Sequence, residues 1–594
     1  MNLPLSEIAT TIDVLRACGY EDVIATCEVA DVLAYCDALA KAASDAQAEQ
    51  DNAKANALAL LAVACQPILE ASAPDEPFRQ LRPGDFSEEQ YSVLAQFAPE
   101  VDAAELKARL ADLVWVKTKD ADMARVAVGA YILSGQNANL ARMWVDGVAR
   151  IERALRIGTQ LRDEGRIKNA VDALLAALSE LETVEDNGRS LSGAQYIGEL
   201  LLDQRREDPK RLAERAENWA QKAESRGDYW LKSKLLEFAA RALSRAREYE
   251  LSRSRCVAAA EALVDLSDDE ERAENKLVAH SWLQEAIEKL QKCGGCHDRM
   301  EELKGKLAGL GLAGLSELRR IEIPLDMAAM ASASVETVRD KDPLTALCLF
   351  ANIVEPAQRK ILENQAMACA KADPLKHNMT KTVYNGDGRV VARVPPLFSS
   401  SGEDKSLAIK GGCCEQARMH FLKAVGGKIL PARNEIMRQH ASVIDERLLA
   451  EYLRDSGIFA PGRQALWIKG FLAGFQGDYV VSLSVLMPQF EHGLRKLLEK
   501  RGAVVYGIKN TGIHSEKLLD DLLGMVESLT LLGEDLQFEL QCLLTERVGV
   551  NLRNELAHGL LSEDAFLSVP AVYVWWLFFH IAVALTNRGS TQLP

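Results

Sequence analysis

A chain of 594 residues exceeds what one hydrophobic core serves, and it points to roughly three or four domains or a long helical array. With 48% apolar and 26% charged residues, 18 prolines and only 6% aromatics, the composition excludes a disordered chain and favours helices over sheets. The formal net charge of −16 excludes a protein that coats nucleic acid by bulk electrostatics, while leaving room for a small, focused RNA site.

The opening stretch MNLPLSEIATTIDVL has no basic segment followed by an apolar core, so no secretory signal is expected. Twelve scattered cysteines read as reduced thiols of a cytoplasmic protein. Nearly everything up to about residue 375 reads as helix. Leu106, Leu110, Leu113 and Val114 fall on one helical stripe, and Val171, Leu174, Leu175, Leu178 and Leu181 repeat the pattern. Turn formers mark boundaries at 73–86, 185–193 and the glycine-rich 306–316, and helices between short connectors suggest hairpins stacked as a solenoid without a strict repeat period. Between about 200 and 255 the helices become Arg-rich, with Trp219, Tyr229 and Trp230 interleaved. An RNA-binding groove would use those residues, but the interspersed Glu214, Glu217, Glu224 and Glu237 favour a solvated, salt-bridged face.

One β signal stands out at 382–394, where two β-prone runs flank Asn385-Gly-Asp-Gly388 and Pro395-Pro396 stops the second. Helices are expected to resume after the SSSGEDKS loop and to continue to the end. The chain is therefore expected to be mainly α: a helical domain over 1–190, a helical-repeat-like domain over 191–375, a β-hairpin and helical connector over 376–460, and a helical bundle over 461–594. Within that bundle Leu483, Leu486, Phe490, Leu494 and Leu497 form a buried stripe. The uncharged run 569–585, with Pro570 suited to a first helical turn, is short for a membrane span. It fits a central bundle helix, with a dimer-facing or membrane-facing helix as the alternative; membrane attachment is not the expectation.

The segment Asn551-Leu-Arg-Asn-Glu-Leu-Ala-His-Gly559 carries candidate chemistry. Asn554 and His558 are four residues apart and share a helix face, with Arg553 at its edge. Imidazole can move a proton near neutral pH, guanidinium presents a charged fork to phosphate, and the Asn554 amide can orient the histidine or donate to an oxygen. Those groups suit attack of an RNA 2′-hydroxyl on its own phosphodiester, a reaction that needs no metal or other cofactor. The ordinary alternative is a helix end, with Gly559 as its cap and Arg553 paired with an acid. Glu491 and Arg495 invite the same choice between a simple ion pair and a pair beside a cleft that supports Arg553 or contacts RNA.

This segment resembles the R-polar-x-x-x-H signature of the HEPN superfamily. The resemblance extends upstream through Phe459-Ala-Pro-Gly-Arg463, the stretch Gly470 to Tyr479, and Met487-Pro-Gln-Phe-Glu-His-Gly-Leu-Arg495. Together these resemble the C-terminal domain of a bacterial family related to the eukaryotic endoplasmic-reticulum membrane-associated RNA degradation protein, over about residues 380–590. The resemblance implies a HEPN-like bundle that forms a homodimer and brings two copies of Arg553, Asn554 and His558 together across a cleft to cut RNA. Proteins with such domains resemble toxins and anti-phage defence effectors, so the helical region that precedes it is expected to sense a regulatory protein or nucleic-acid trigger or to hold the nuclease inactive. A non-catalytic dimerisation or nucleotide-binding scaffold is the alternative.

Two further motifs carry weaker signals. Cys293-Gly-Gly-Cys296-His297 matches a haem-attachment string but reads by default as free thiols at a helix-to-loop junction, and Cys413-Cys414 is poorly spaced to complete a zinc site. His514 reads as a loop residue before a helix capped by Ser515.

Overall fold

A computed structural model describes residues 8–66, 85–138, 140–184, 188–319, 324–508 and 512–586. The chain is mainly α-helical and divides into two compact units, Met1–Leu307 and Ala308–Pro594. This differs from the four segments expected: helices of 1–190 and 191–307 share one core, and those of 338–375, 376–460 and 461–594 share another. The division falls inside the glycine-rich 306–316 stretch, yet that stretch is helical as far as Gly314 rather than a turn. Most of the 73–86 boundary, and the first part of the one at 185–193, lie outside the described residues.

The first unit starts with α1 (Ile12–Ala17), α2 (Tyr20–Ala25), α3 (Val32–Ala48), α4 (Asn52–Cys65) and α5 (Glu88–Phe97). It continues with α6 (Ala104–Thr118), α7 (Ala121–Gln136), α8 (Leu140–Leu161), α9 (Glu164–Thr183) and α10 (Arg189–Asp203). Then come α11 (Pro209–Glu224), α12 (Tyr229–Arg245), α13 (Tyr249–Arg272), α14 (Lys276–Cys293) and α15 (His297–Gly314). Most consecutive long helices pack as antiparallel hairpins, because a single left-handed residue reverses the chain and the next residue starts the following helix. Gln50, Lys119, Arg162, Arg247 and Glu274 hold that positive φ, followed by Asp51, Asp120, Asp163, Glu248 and Asn275 at the next helix start. The Asp side chains accept from backbone N–H groups of the new first turn.

Ion pairs then link every second helix at a nearly constant interval. Arg241 reaches Glu199 and Arg245 reaches Asp203, both 42 residues back; Arg255–Glu217, Arg299–Glu261 and Lys306–Asp268 each span 38. The Arg-rich 200–255 region is thus a salt-bridged face, and Trp219 is buried with its Nε1–H donated to Glu182 at 2.8 Å. Deeper in this unit, Arg153 grips Asp112 with two bonds of 2.8 and 2.9 Å while Tyr131 donates to the same carboxylate. Cys293 ends α14, Gly294 and Gly295 turn the chain at positive φ, and all three thiols of this corner, Cys256, Cys293 and Cys296, are free.

The second unit opens with α16 (Ala328–Val338), α17 (Pro343–Ala351), α18 (Arg359–Ala372) and α19 (Pro374–His377). The antiparallel hairpin β1 (Lys381–Tyr384) and β2 (Val390–Val394) forms where the sequence places it, with the Asn385 side chain accepting from Asp387 and Arg389 N–H in the turn. Gly388, at φ +75°, approaches Gly311 so closely that a Cβ would lie 2.1 Å from its carbonyl carbon. The expected SSSGEDKS loop is shorter than read, since α20 (Gly402–Ala424) starts inside it. A π-helical turn at Val425–Ile429 leads into α21 (Leu430–His440), α22 (Glu446–Tyr452), α23 (Gln464–Gln476) and α24 (Tyr479–Lys500).

After α24 the all-helical expectation fails: β3 (Tyr506–Ile508) pairs antiparallel with β4 (His514–Glu516). His514 stacks on Tyr506 at 4.9 Å, and Ser515 lies mid-strand instead of capping a helix. Then follow α25 (Leu519–Leu523), α26 (Val526–Leu544), α27 (Leu552–Ala557), α28 (Glu563–Phe566) and α29 (Val569–Ala584). The apolar 569–585 run is the central helix of this unit, since every residue from Ala571 to Ala582 is buried. Phe490 stacks on Phe578 at 4.2 Å, and Trp576 Nε1 and His580 Nδ1 bond the carbonyls of Phe350 and Ala351 at 2.9 and 2.7 Å. Among the described residues no helix is long and apolar enough to cross a membrane.

Candidate active site

Helix α24 supplies one wall of the site, and its two faces have separate tasks. Leu483, Leu486, Phe490, Leu494 and Leu497 are buried as the periodicity predicts. The opposite stripe, Ser484, Pro488, Glu491, His492 and Arg495, lines a cleft of about 610 Å³. Pro488 sits inside the helix and brings no N–H to the Ser484 carbonyl one turn earlier. Arg463, at the start of α23, and Arg553, Leu556 and Ala557 of α27 complete the lining.

Glu491 is the hub. Its Oε2 accepts from Arg553 Nε at 3.1 Å and Nη2 at 3.0 Å, while its Oε1 accepts from Arg495 Nη2 at 3.1 Å. The third nitrogen of Arg553, Nη1, donates to Asn554 Oδ1 at 3.0 Å, and Asn554 Nδ2 donates to Asn551 Oδ1 at 2.7 Å. Arg495 is anchored further by the Lys517 carbonyl at 2.7 Å and by Glu516 at 3.1 Å. Side-chain exposures of 17% for Arg553, 15% for Glu491 and 11% for Arg495 leave this network half-dry, where charge-assisted bonds are stronger than at an open surface. Glu491 and Arg495 form the ion pair that their spacing allows, and Glu491 also bonds Arg553.

The motif helix is short. Asn551 enters it in the left-handed conformation, His558 closes it, and Gly559 at φ +69° turns the chain away. His558 N–H bonds the Asn554 carbonyl at 3.0 Å, which keeps the two residues one turn apart as their spacing predicts. The His558 side chain is exposed and is not part of the cleft lining. Arg553 and Asn554 are therefore joined directly, Glu491 and Arg495 are joined to them, and His558 stands outside the hydrogen-bonded group.

What fixes the entry to this helix is Gly549. Its added Cβ would lie 2.2 Å from the Cys542 carbonyl oxygen, which itself accepts the Val550 N–H at 2.8 Å, and the Gly549 carbonyl accepts from Arg418. Gly549→Ala is expected to destabilise the second unit by at least about 1 kcal/mol and to shift the Asn551 turn, read by urea unfolding.

Two further cleft residues, Arg463 and His492, stand outside the motif and its supporting pair. The signal for His492 was the polar stripe 484, 488, 491, 492 and 495, which recurs at helical spacing opposite the apolar one. Burial first, then the positive charge of Arg463, Lys496 and Arg495, holds the His492 imidazole below its ordinary pKa, against Glu499, which raises it. Cys413 and Cys414 are buried in α20, with Cys414 against Cys542. Among the described residues no group of three or more His, Cys, Asp or Glu is placed to hold a metal ion.

No curated protein matches this chain. Among solved structures it is similar to a circular tandem repeat protein with novel repeat topology and enhanced subunit contact surfaces, at 11% identity over 98% of this chain and 97% of that one, with a TM-score of 0.14. A family model described as a domain of unknown function (DUF7380) matches residues 5–170, within the first unit.

Proposed function

We propose that the second unit is a HEPN-type endoribonuclease, with Arg553, Asn554 and His558 as its catalytic group and Glu491 and Arg495 as supporting residues. The observation that carries this reading is the Arg553 guanidinium, fixed by Glu491 and Asn554 at a cleft whose other cations are Arg463 and Arg495. A preorganised guanidinium stabilises charge that develops on the phosphoryl oxygens at little reorganisation cost. In the proposed step the RNA 2′-oxygen forms a bond to phosphorus and loses its proton to a base, for which His558 is the candidate. The bond from phosphorus to the 5′-oxygen breaks, and that oxygen takes up a proton. Products are a 2′,3′-cyclic phosphate and a 5′-hydroxyl.

His558 lies outside the cleft, so pairing with a second copy of the unit is part of the proposal: it would bring exposed imidazoles and cleft arginines of two chains together. The helical array of the first unit is the candidate regulatory element. The test is incubation of the full chain with mixed cellular RNA in the presence of a chelator. Fragments ending in cyclic phosphate are expected; no cutting, or cutting restored only by a divalent cation, overturns the reading.

A second reading, a HEPN-type module that binds a nucleotide or pairs two chains without cutting, is favoured by one observation. Among the described residues no hydrogen bond joins the His558 ring to Arg553 or Asn554, whereas Arg553 is fully engaged with Glu491 and Asn554. Stable dimers that bind RNA and leave it intact would select it.

A further inference from the structure

The chain carries a net charge of −16, yet three guanidinium groups and one carboxylate line the cleft beside α24. Their charges are not equally matched. Arg553 and Arg495 share Glu491, and Arg495 also meets Glu516 at the rim. Arg463 meets only a neutral amide, donating from Nη1 to Gln489 Oε1 at 3.2 Å. Among the described residues it has no carboxylate partner. Beside it is His492, half-buried on the same stripe, with Lys496 paired to Glu499 one turn further on.

We infer that Arg463 and His492, backed by Arg495, form a phosphate-binding subsite in this cleft that is distinct from the Arg553-Asn554-His558 group and holds an RNA phosphate next to the scissile one. A volume of about 610 Å³ is within the range of small-ligand pockets. Arg463 supplies an unspent charge with free N–H donors, the feature that phosphate contacts use. His492 adds a donor whose protonation follows its surroundings. Arg463 at the start of α23, Arg495 and Lys496 of α24 and Arg553 of α27 face it with positive charge, and Glu491 and Glu499 with negative. An anion placed among them favours the protonated ring. Affinity for a phosphodiester therefore rises as pH falls through the His492 titration, and falls as pH rises.

The choice of RNA as the ligand rests on the proposed nuclease; the phosphate subsite itself does not. The experiment uses the full chain carrying His558→Ala, so that RNA stays intact, and follows fluorescence polarisation of a short 3′-labelled RNA. Arg463→Gln and His492→Gln are each expected to weaken binding about tenfold or more, Arg463→Lys is expected to recover part of the loss, and His492→Gln is expected to flatten the pH dependence. Binding unchanged within twofold in both glutamine variants, at parental melting temperature, overturns the subsite. Comparing 5′-phosphate and 5′-hydroxyl RNA identifies the source of the phosphate: preference for the former marks a terminal phosphate, equality an internal diester, and either supports the site. If the parental chain never cuts RNA while Arg463-dependent binding persists, the nuclease reading falls and the subsite stands. If cutting is normal and binding ignores both residues, the reverse holds.

Discussion

His558→Ala is expected to slow RNA cleavage by about 10²–10⁴-fold, the usual contribution of a positioned acid or base, while thermal unfolding stays at the parental midpoint. The separation of the two effects comes from where the residue sits. Its ring is exposed, and its backbone closes α27 in an ordinary right-handed conformation that alanine adopts without strain. The backbone bond to the Asn554 carbonyl survives the change. A structural role thus predicts almost no effect, and a catalytic role predicts a large one. Arg553→Lys sharpens the comparison, because it keeps the charge but cannot reproduce three nitrogens that bond Glu491 twice and Asn554 once. A loss of about 10²-fold or more is expected there too, by analogy with removal of one fixed donor from a transition-state site. Single-turnover cleavage of a labelled RNA measures both, and a His558→Ala chain that cuts at the parental rate removes His558 from the mechanism.

Much of the helical fold was legible because apolar residues recur at helical spacing, and the buried stripes of α6 and α24 contain the residues so read, as does that of α9 apart from the half-buried Leu175. The repeat character was harder to see, for a specific reason. The hairpin connectors hold their left-handed residue as Gln50, Lys119, Arg162, Arg247 or Glu274, so they lack the glycine that normally announces such a turn. The interval is carried instead by pairs such as Glu199–Arg241 and Glu261–Arg299, which depend on which helices meet. The hairpin of β3 and β4 was missed because three-residue strands give no alternation to detect. At the candidate site, the Glu491–Arg495 pair and the one-turn separation of Asn554 and His558 were legible from helical spacing. Arg463 was not, because its approach to the cleft is set by how the α23 start lies against α24.

Replacing Glu539 by glutamine is expected to convert a pH-dependent weakness of the second unit into a pH-independent one. Glu539 is fully buried on α26, with Oε1 accepting from Tyr573 O–H at 2.6 Å and from Ala357 N–H at 3.3 Å, while Oε2 has no partner among the described residues. Burial pushes its carboxyl up from 4.5 to about 7; the Tyr573 and Ala357 bonds pull it down and the charge of Asp535 adds to the rise. Between those values the folded chain holds a proton that the unfolded chain releases, so this group favours folding most at pH 4.5 and below, and its contribution is lost as pH rises to 7. A shift from 4.5 to about 7, at about 1.4 kcal/mol per unit, amounts to about 3 kcal/mol. His580, held below its ordinary range chiefly by burial, acts in the opposite sense as pH falls, but it is present in both chains and cancels in the difference; His420, lowered chiefly by burial too, meets the Tyr573 hydroxyl at 3.3 Å and is part of the same network. The stability of Glu539→Gln relative to the parent should therefore climb by about 3 kcal/mol from pH 4.5 to pH 8 and then level off, as read by urea unfolding of the two full chains. A difference that stays flat across that range would mean that Glu539 titrates as an ordinary carboxyl, with water reaching the Glu539–Tyr573 pair in the folded protein.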